Sequence, residues 1–317
     1  MNERLSQSAL LAWYAESKRD LPWRHTNDSW KILLSEILLQ QTQVSRGIHY
    51  WEKLVERFPT PQSMADADVD AVLHLWQGAG YYSRARRLHA LSVRVCLPIA
   101  DGGFGGSLPK TAAELLTLPG VGPYTAAAVA SIAHGESVAC VDGNIRRVMA
   151  RQSKHVEPTM KEVEVWANAV LYKDDAGDWN QALMELGATV CTPKRPQCER
   201  CPVSSSCTGI GEPLLYPQPK KVKRKRLDLK CALRFDANGL PELIQRGNGG
   251  ILAGMWGPPM DENLDVSGMD FIGVVEHTLS HRDVFVEVWQ GTCRRGTEPA
   301  DVAISSLDRK ILALRRN

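Results

Sequence analysis

The stretch Leu118-Pro119-Gly120-Val121-Gly122-Pro123-Tyr124-Thr125 runs into Ala126–Ile132, a series of small helix formers. Glycines ahead of a helix let backbone N–H groups turn outward toward an anion, and Pro123 suits a first helical turn. An ordinary tight turn between two helices fits the same residues. Further on comes Val141-Asp142-Gly143-Asn144-Ile145-Arg146-Arg147-Val148. Asp142 is placed to cap a helix over Ile145–Arg151, or to present a carboxylate to a ligand. The two readings are compatible, because a helix N-terminus stabilises the anionic form.

Outward from this pair of segments the chain reads helical. Ser29–Val44, Ala67–Trp76, Ser83–Val95, Ala112–Leu118, Tyr124–His134 and Trp179–Val190 carry apolar residues at three- and four-residue steps. Beyond Cys207 the pattern changes, and Leu229–Phe235 and Val284–Trp289 alternate as strands do. The expected organisation is a mostly α region over 1–207, a basic linker over 208–226 and a smaller α+β domain over 227–317.

The 317 residues suffice for two cores, and 44% hydrophobic with 23% charged content is globular. Formal charge is +2, from 38 basic and 36 acidic residues, and six of the basic ones fall in Lys220–Arg226. Their removal leaves 32 against 36, which excludes a chain coated in basic charge but leaves room for a local phosphate-binding patch. No apolar stretch is long enough to span a membrane, and the N-terminus lacks a signal peptide's pattern. An intracellular protein of cytoplasm or nucleoid is expected.

Of eight cysteines, Cys191, Cys198, Cys201 and Cys207 cluster, with spacing Cys-x6-Cys-x2-Cys-x5-Cys. Four thiolates so close can enclose one metal centre and staple a segment too short to fold alone. Structural zinc usually takes two close pairs across a longer loop. One pair with unequal single arms suits an iron–sulfur cubane at least as well. Cys96, Cys140, Cys231 and Cys293 read as core packing.

Ser29–Val44 (SWKILLSEILLQQTQV) holds one charge between Lys31 and Arg46, namely Glu36. Trp30, Leu33, Leu34, Ile37 and Val44 share one stripe, and Ile32 and Leu39 lie on the other side, beside Glu36. A helix apolar nearly all round is buried. Burial raises a carboxyl pKa and equips it as a general acid near neutrality. Glu36 as the acid and Asp142 as an ionised partner make a pair suited to cleaving a glycosidic bond.

LPGVGPYTA followed by VDGNIRRV resembles the helix-hairpin-helix DNA glycosylase superfamily, and the four-cysteine tail is similar to the iron–sulfur loop of its endonuclease III branch. That resemblance implies a [4Fe-4S] cluster on the four cysteines. Ser35–Val44 resembles the signature of the MutY-type adenine glycosylases. It implies that Glu36 protonates adenine N7 and Asp142 stabilises the sugar cation, with Tyr124 and Asn144 beside it. Trp23, Arg24 and Gln181 would surround a flipped adenine. Gln40, Gln41 and Thr42 would lie near the opposite base, Tyr82 would wedge into the duplex, and Arg84 and the hairpin (Gly120, Val121, Gly122) would contact DNA. Strand-cleaving relatives carry lysine where this chain has Tyr124, so no efficient lyase is expected.

Gly249–Met260 and His277-Thr278-Leu279-Ser280-His281 resemble the Nudix-related C-terminal domain of the same family, without the Glu-rich helix of a Nudix hydrolase. By that resemblance Ser280, with His281 beside it, reads 8-oxoguanine; Leu279 replaces the usual phenylalanine. The expected partner is double-stranded DNA carrying A:8-oxoG or A:G mispairs, bound by a monomer. No motif is legible after about residue 290.

Overall fold

The computed structural model describes residues 5–218, 223–247, 249–279 and 281–315. Ser280 therefore lies outside the described residues. The chain divides into two compact units, residues 1–65 with 90–220, and residues 66–89 with 221–317. The sequence suggests one break near 208–226; the structure's units also exchange at 65/66 and 89/90.

In the first unit α1 (Gln7–Ser17) starts on the Ser6 cap and α2 (Ser29–Leu39) on Asp28, whose carboxylate accepts the Trp30 and Lys31 N–H groups. The chain continues through α3 (Val44–Arg57) and α4 (Pro61–Ala65). α5 (Val69–Leu75) belongs to the second unit, and α6 (Ser83–Cys96) runs through the exchange at 89/90. The first unit then closes with α7 (Ala112–Leu115), α8 (Pro123–His134), α9 (Gly143–Gln152), α10 (Met160–Val170) and α11 (Ala176–Thr189). α11 lies against α1, α8 and α9, and α8 also meets α2. A core of Leu10, Tyr14, Ala128, Ile145, Val148, Trp179, Leu183 and Leu186 joins these helices.

Two local details position the site. Gly120 sits at φ +80°, a left-handed conformation that glycine adopts without a Cβ clash, and Val121 N–H closes the turn on Leu118 O. Gly187 of α11 lies so near α9 that a Cβ would stand 2.5 Å from that of Asn144. The missing side chain lets the head of α9 reach α11.

Helix α2 ends at Leu39 rather than at Val44, as the apolar pattern suggests. Gln41 takes φ +63°, and the polar run Gln40–Gln43 becomes a corner before α3. The strand expectations are lengthened. β1 (Lys225–Phe235) pairs parallel with β6 (Arg282–Thr292), β5 (Asp270–Thr278) lies antiparallel on the far side of β6, and β4 (Met260–Asp261) lies antiparallel on β1. β2 (Ile244–Gln245) and β3 (Trp256–Gly257) form a separate pair. Lys225 and Arg226, expected in a linker, are the first residues of β1.

Alternate residues of β1 and β6 (Leu227, Leu229, Cys231, Leu233; Val284, Val286, Val288) are buried against Leu307 and Ile311 of α12 (Ser306–Leu312). The motif-poor C-terminus thus completes the core. Asp308 is fully buried there and ion-paired to Arg246 at 2.7 Å. Among the described residues no helix is long and apolar enough to cross a membrane.

Candidate active site

One cleft of about 740 Å³ in the first unit gathers α2, the corner after it, the 3-10 turn Pro22–Arg24, the starts of α8 and α9, and α11. Glu36, Tyr124, Asp142, Asn144, Trp23, Arg24, Gln181, Gln40, Gln41 and Thr42 all line it. Residues from six separate segments therefore meet in one cleft.

Glu36 is 8% exposed, and its Oε2 accepts the Tyr124 hydroxyl at 2.6 Å. Burial drives its carboxyl up to about 7, helped by the nearby Asp142 charge and opposed by the Tyr124 hydrogen bond and the Arg24 cation. The Tyr124 phenol is itself pushed well above its ordinary value, by burial first and by Glu36 next. It stays a neutral hydrogen-bond donor, also 3.1 Å from the Met184 sulfur.

Asp142 is the N-cap of α9 and accepts Ile145 N–H at 2.7 Å and the Asn144 side-chain amide at 2.8 Å. Burial raises its carboxyl, and the Ile145 and Asn144 donors act against that rise. Asn144 is oriented in turn, because its carbonyl accepts from Arg147 at 2.8 Å. Arg147 also donates to Gly187 O and Cys191 O.

At the other end of the cleft, Arg24 donates to Glu185 Oε2 at 2.8 Å and to Arg19 O at 2.9 Å. Arg19 forks onto both Glu185 oxygens at 2.7 Å. The two arginines hold the fully buried Glu185 down to about 2, despite a desolvation that alone would raise it. Trp23 is buried edge-on against Trp51, with ring centroids 6.0 Å apart. Gln181 donates to Asp178 at 3.2 Å, and Gln40 to Thr125 at 3.2 Å. Glu185 and Arg19 escape a reading of motifs, since each acts through a partner far away in sequence, and the role of Arg147 is hidden because it ties its neighbour Asn144 to the distant Gly187 and Cys191.

In the second unit Tyr82, the expected wedge, is 7% exposed and its hydroxyl oxygen accepts Gly78 N–H at 3.3 Å. Tyr81 is 42% exposed at φ +51°. Arg84, expected on DNA, points inward. It lies over the Trp76 and Tyr81 rings and donates to Gly80 O at 3.0 Å, and burial pulls its pKa down to about 10. A cleft of about 660 Å³ collects Tyr81, Arg224, Leu252, His277, Leu279, His281 and Arg282. His281 is exposed, while burial lowers the pKa of half-buried His277.

Cys191, Cys198, Cys201 and Cys207 border one hollow with Val148, Leu186 and Ile210. Among the described residues no group of three or more His, Cys, Asp or Glu side chains is placed to hold a single metal ion. Four thiols around one shared hollow suit a polynuclear cluster. Arg151, buried on α9, donates to Cys191 Sγ at 3.2 Å and supplies positive charge beside thiolates.

Residues 34–169 match the HhH-GPD superfamily of base excision DNA repair proteins, and residues 191–207 match the iron–sulfur binding domain of endonuclease III. An adenine DNA glycosylase of Rattus norvegicus is 46% identical over 331 residues, covering 86% of this chain and 63% of the relative. One of Mycolicibacterium smegmatis is 41% identical over 204 residues, covering 63% of this chain and 68% of the relative. The chain thus spans less than two thirds of the rat protein's length. A solved thermostable thymine-DNA glycosylase superposes with TM-score 0.58 at 29% identity, over 65% of this chain and 94% of that one.

Proposed function

As the chain belongs to the adenine DNA glycosylase family of base excision repair proteins, we propose that it hydrolyses the N-glycosidic bond of adenine mispaired with 8-oxoguanine or guanine. The observation that carries this reading is the pair of unlike carboxyls in one cleft. Glu36 is pushed up to about 7, beside the capped Asp142. Because their charges interact, the pair loses its protons in two steps, and the Asp142 charge helps to hold the proton on Glu36.

Glu36 donates its proton to adenine N7 as the bond from the ring nitrogen to C1′ breaks and its electron pair moves into the purine. The Asp142 carboxylate faces the positive charge that develops on the sugar. Water then adds to C1′, and its proton returns to the Glu36 carboxylate. Tyr124 holds Glu36 by its hydroxyl and offers no amine, so no Schiff base with the abasic sugar forms there.

The base must leave the stack to reach this cleft. Trp23, Arg24 and Gln181 would line its pocket, and Gln40, Gln41 and Thr42 the corner near the opposite base. Tyr81, rather than the buried Tyr82, is the ring available to prop the opened stack, and Arg84 braces its loop. The hairpin N–H groups of Gly120 and Gly122 suit a backbone phosphate, Val121 N–H being turned to Leu118 O, and the cleft around His281 suits the orphaned 8-oxoguanine. The [4Fe-4S] cluster held by Cys191, Cys198, Cys201 and Cys207 would fasten the loop that receives Arg147 and Arg151 from α9.

The test is single-turnover base release from duplexes with adenine opposite 8-oxoguanine, adenine opposite guanine and thymine opposite guanine, with and without alkali. Adenine should leave fastest opposite 8-oxoguanine, with strand breaks only after alkali. Release of thymine, or breaks without alkali, would refute the assignment.

A further inference from the structure

Arg24 and Glu36 line the same cleft, and a cation beside a buried carboxyl would ordinarily form an ion pair with it. It does not do so here. Arg24 spends one guanidinium nitrogen on Glu185 and another on Arg19 O, with its plane over the Tyr14 ring at 5.4 Å from the centroid. Glu185 is itself fixed from the opposite side by the side chain and the backbone N–H of Arg19.

We propose that Glu185 is a positioning residue that competes with Glu36 for Arg24, tethering the cation so that Glu36 keeps its proton. The inference rests on the assignment of Glu36 as the acid, but its physical content is independent of turnover. Without the tether, Arg24 can turn within the shared cleft toward the buried carboxyl. The resulting pair would turn the acid into an unreactive carboxylate.

The groups facing Glu36 are few. Tyr124 comes from α8, Asp142 from the head of α9, Cys140 from the segment before it, and Arg24 from the 22–24 turn. α11 contributes the uncharged Met184, with Glu185 on the far side of Arg24. Of these, Arg24 is the cation, so its position sets how far Glu36 falls from the value that burial imposes.

Two mechanisms would lower Glu36 in a Glu185→Gln protein: release of Arg24, or mere loss of the negative charge on Glu185. A double-mutant cycle separates them. The experiment is a ¹³C NMR titration of the Glu36 carboxyl in full-length, cluster-loaded protein labelled at glutamate, with Glu36→Gln for assignment. The four proteins are wild type, Glu185→Gln, Arg24→Met and the double variant. Glu185→Gln should move the Glu36 midpoint down by about one to three pH units, the effect of a cation drawn close to a carboxylate. Arg24→Met should raise the midpoint by a much larger step in the Glu185→Gln background than in wild type.

Equal steps in the two backgrounds, or an unmoved midpoint in Glu185→Gln, would overturn the proposal. Should Glu185→Gln not fold, Glu185→Asp, with a shorter reach to Arg24, must lower the midpoint in the same direction, and an unchanged value is then the refutation. Base release by the wild-type protein, measured alongside, decides the functional assignment separately. An inactive wild type whose titrations follow the cycle would refute that assignment and leave the tether standing.

Discussion

The two ends of one cleft hold buried glutamates with opposite fates. Glu36 and Glu185 are 8% and 0% exposed, yet one carboxyl is driven up to about 7 and the other held at about 2. Desolvation pushes both upward. The difference lies in the partners: Glu36 meets a phenol and another carboxylate, whereas Glu185 meets two guanidinium groups and a backbone N–H. Burial alone therefore does not make an acid. A cleft makes one where it withholds cations from a buried carboxyl, and Arg24, the cation whose charge acts on Glu36, is engaged by Glu185.

The largest expected effect breaks the acid end. Glu36→Gln keeps the shape but not the proton, and single-turnover adenine release should fall by about 10²–10⁴-fold. The same protein should gain stability in alkali. A carboxyl raised from its ordinary value of 4.5 to about 7 binds more protons folded than unfolded across that window, so stability falls as pH rises through it. That liability is roughly 3 kcal/mol above neutrality and disappears with the substitution. Urea unfolding near pH 8 should show Glu36→Gln to be the more stable protein, and a less stable one would deny that burial strains this carboxylate.

Breaking the ion-paired end should cost stability instead. Glu185→Ala leaves two guanidinium groups without their shared carboxylate, and a loss of about 3–5 kcal/mol is expected in denaturant titrations at neutral pH. The sign of its pH dependence is opposite to that of Glu36. A depressed carboxyl contributes fully above its unfolded value and loses that contribution as pH falls toward about 2. Wild type should weaken in acid more steeply than Glu185→Gln; parallel curves would mean that the ion pairs add nothing.

The smallest change sharpens the comparison. Tyr124→Phe removes the hydroxyl that donates to Glu36, a bond that favours the ionised form. The alkaline limb of the rate profile should move upward by less than about one pH unit. A downward movement would show that the phenol instead supports the protonated acid.

Much of this cleft is legible in the sequence, for physical reasons that can be named. Glu36 stands out as the single charge in an apolar helix, and Asp142 as a carboxylate ahead of helix-forming residues. Glu185 and Arg19 do not stand out, because they are 166 residues apart and only the packing of α11 against α1 joins them. The end of α2 is misread since Val44 falls in helical register with Ile37 across the polar run Gln40–Gln43, where Gln41 takes a left-handed backbone. Tyr81 and Tyr82 are indistinguishable by type, and only the backbone turn at Tyr81 decides which ring faces out. The role of α12 is hidden for another reason. Leu307 and Ile311 are ordinary apolar residues whose place becomes visible only against the sheet they cover.

The most direct measurement is the single-turnover rate of adenine release opposite 8-oxoguanine, followed in the wild-type protein from about pH 5 to about pH 9. With Glu36 as the proton donor, the rate should decline as pH rises through about 7, with Glu36→Gln lacking that limb. A rate that stays level to about pH 9, or a limb that survives in Glu36→Gln, would contradict the assignment of this buried carboxyl as the acid.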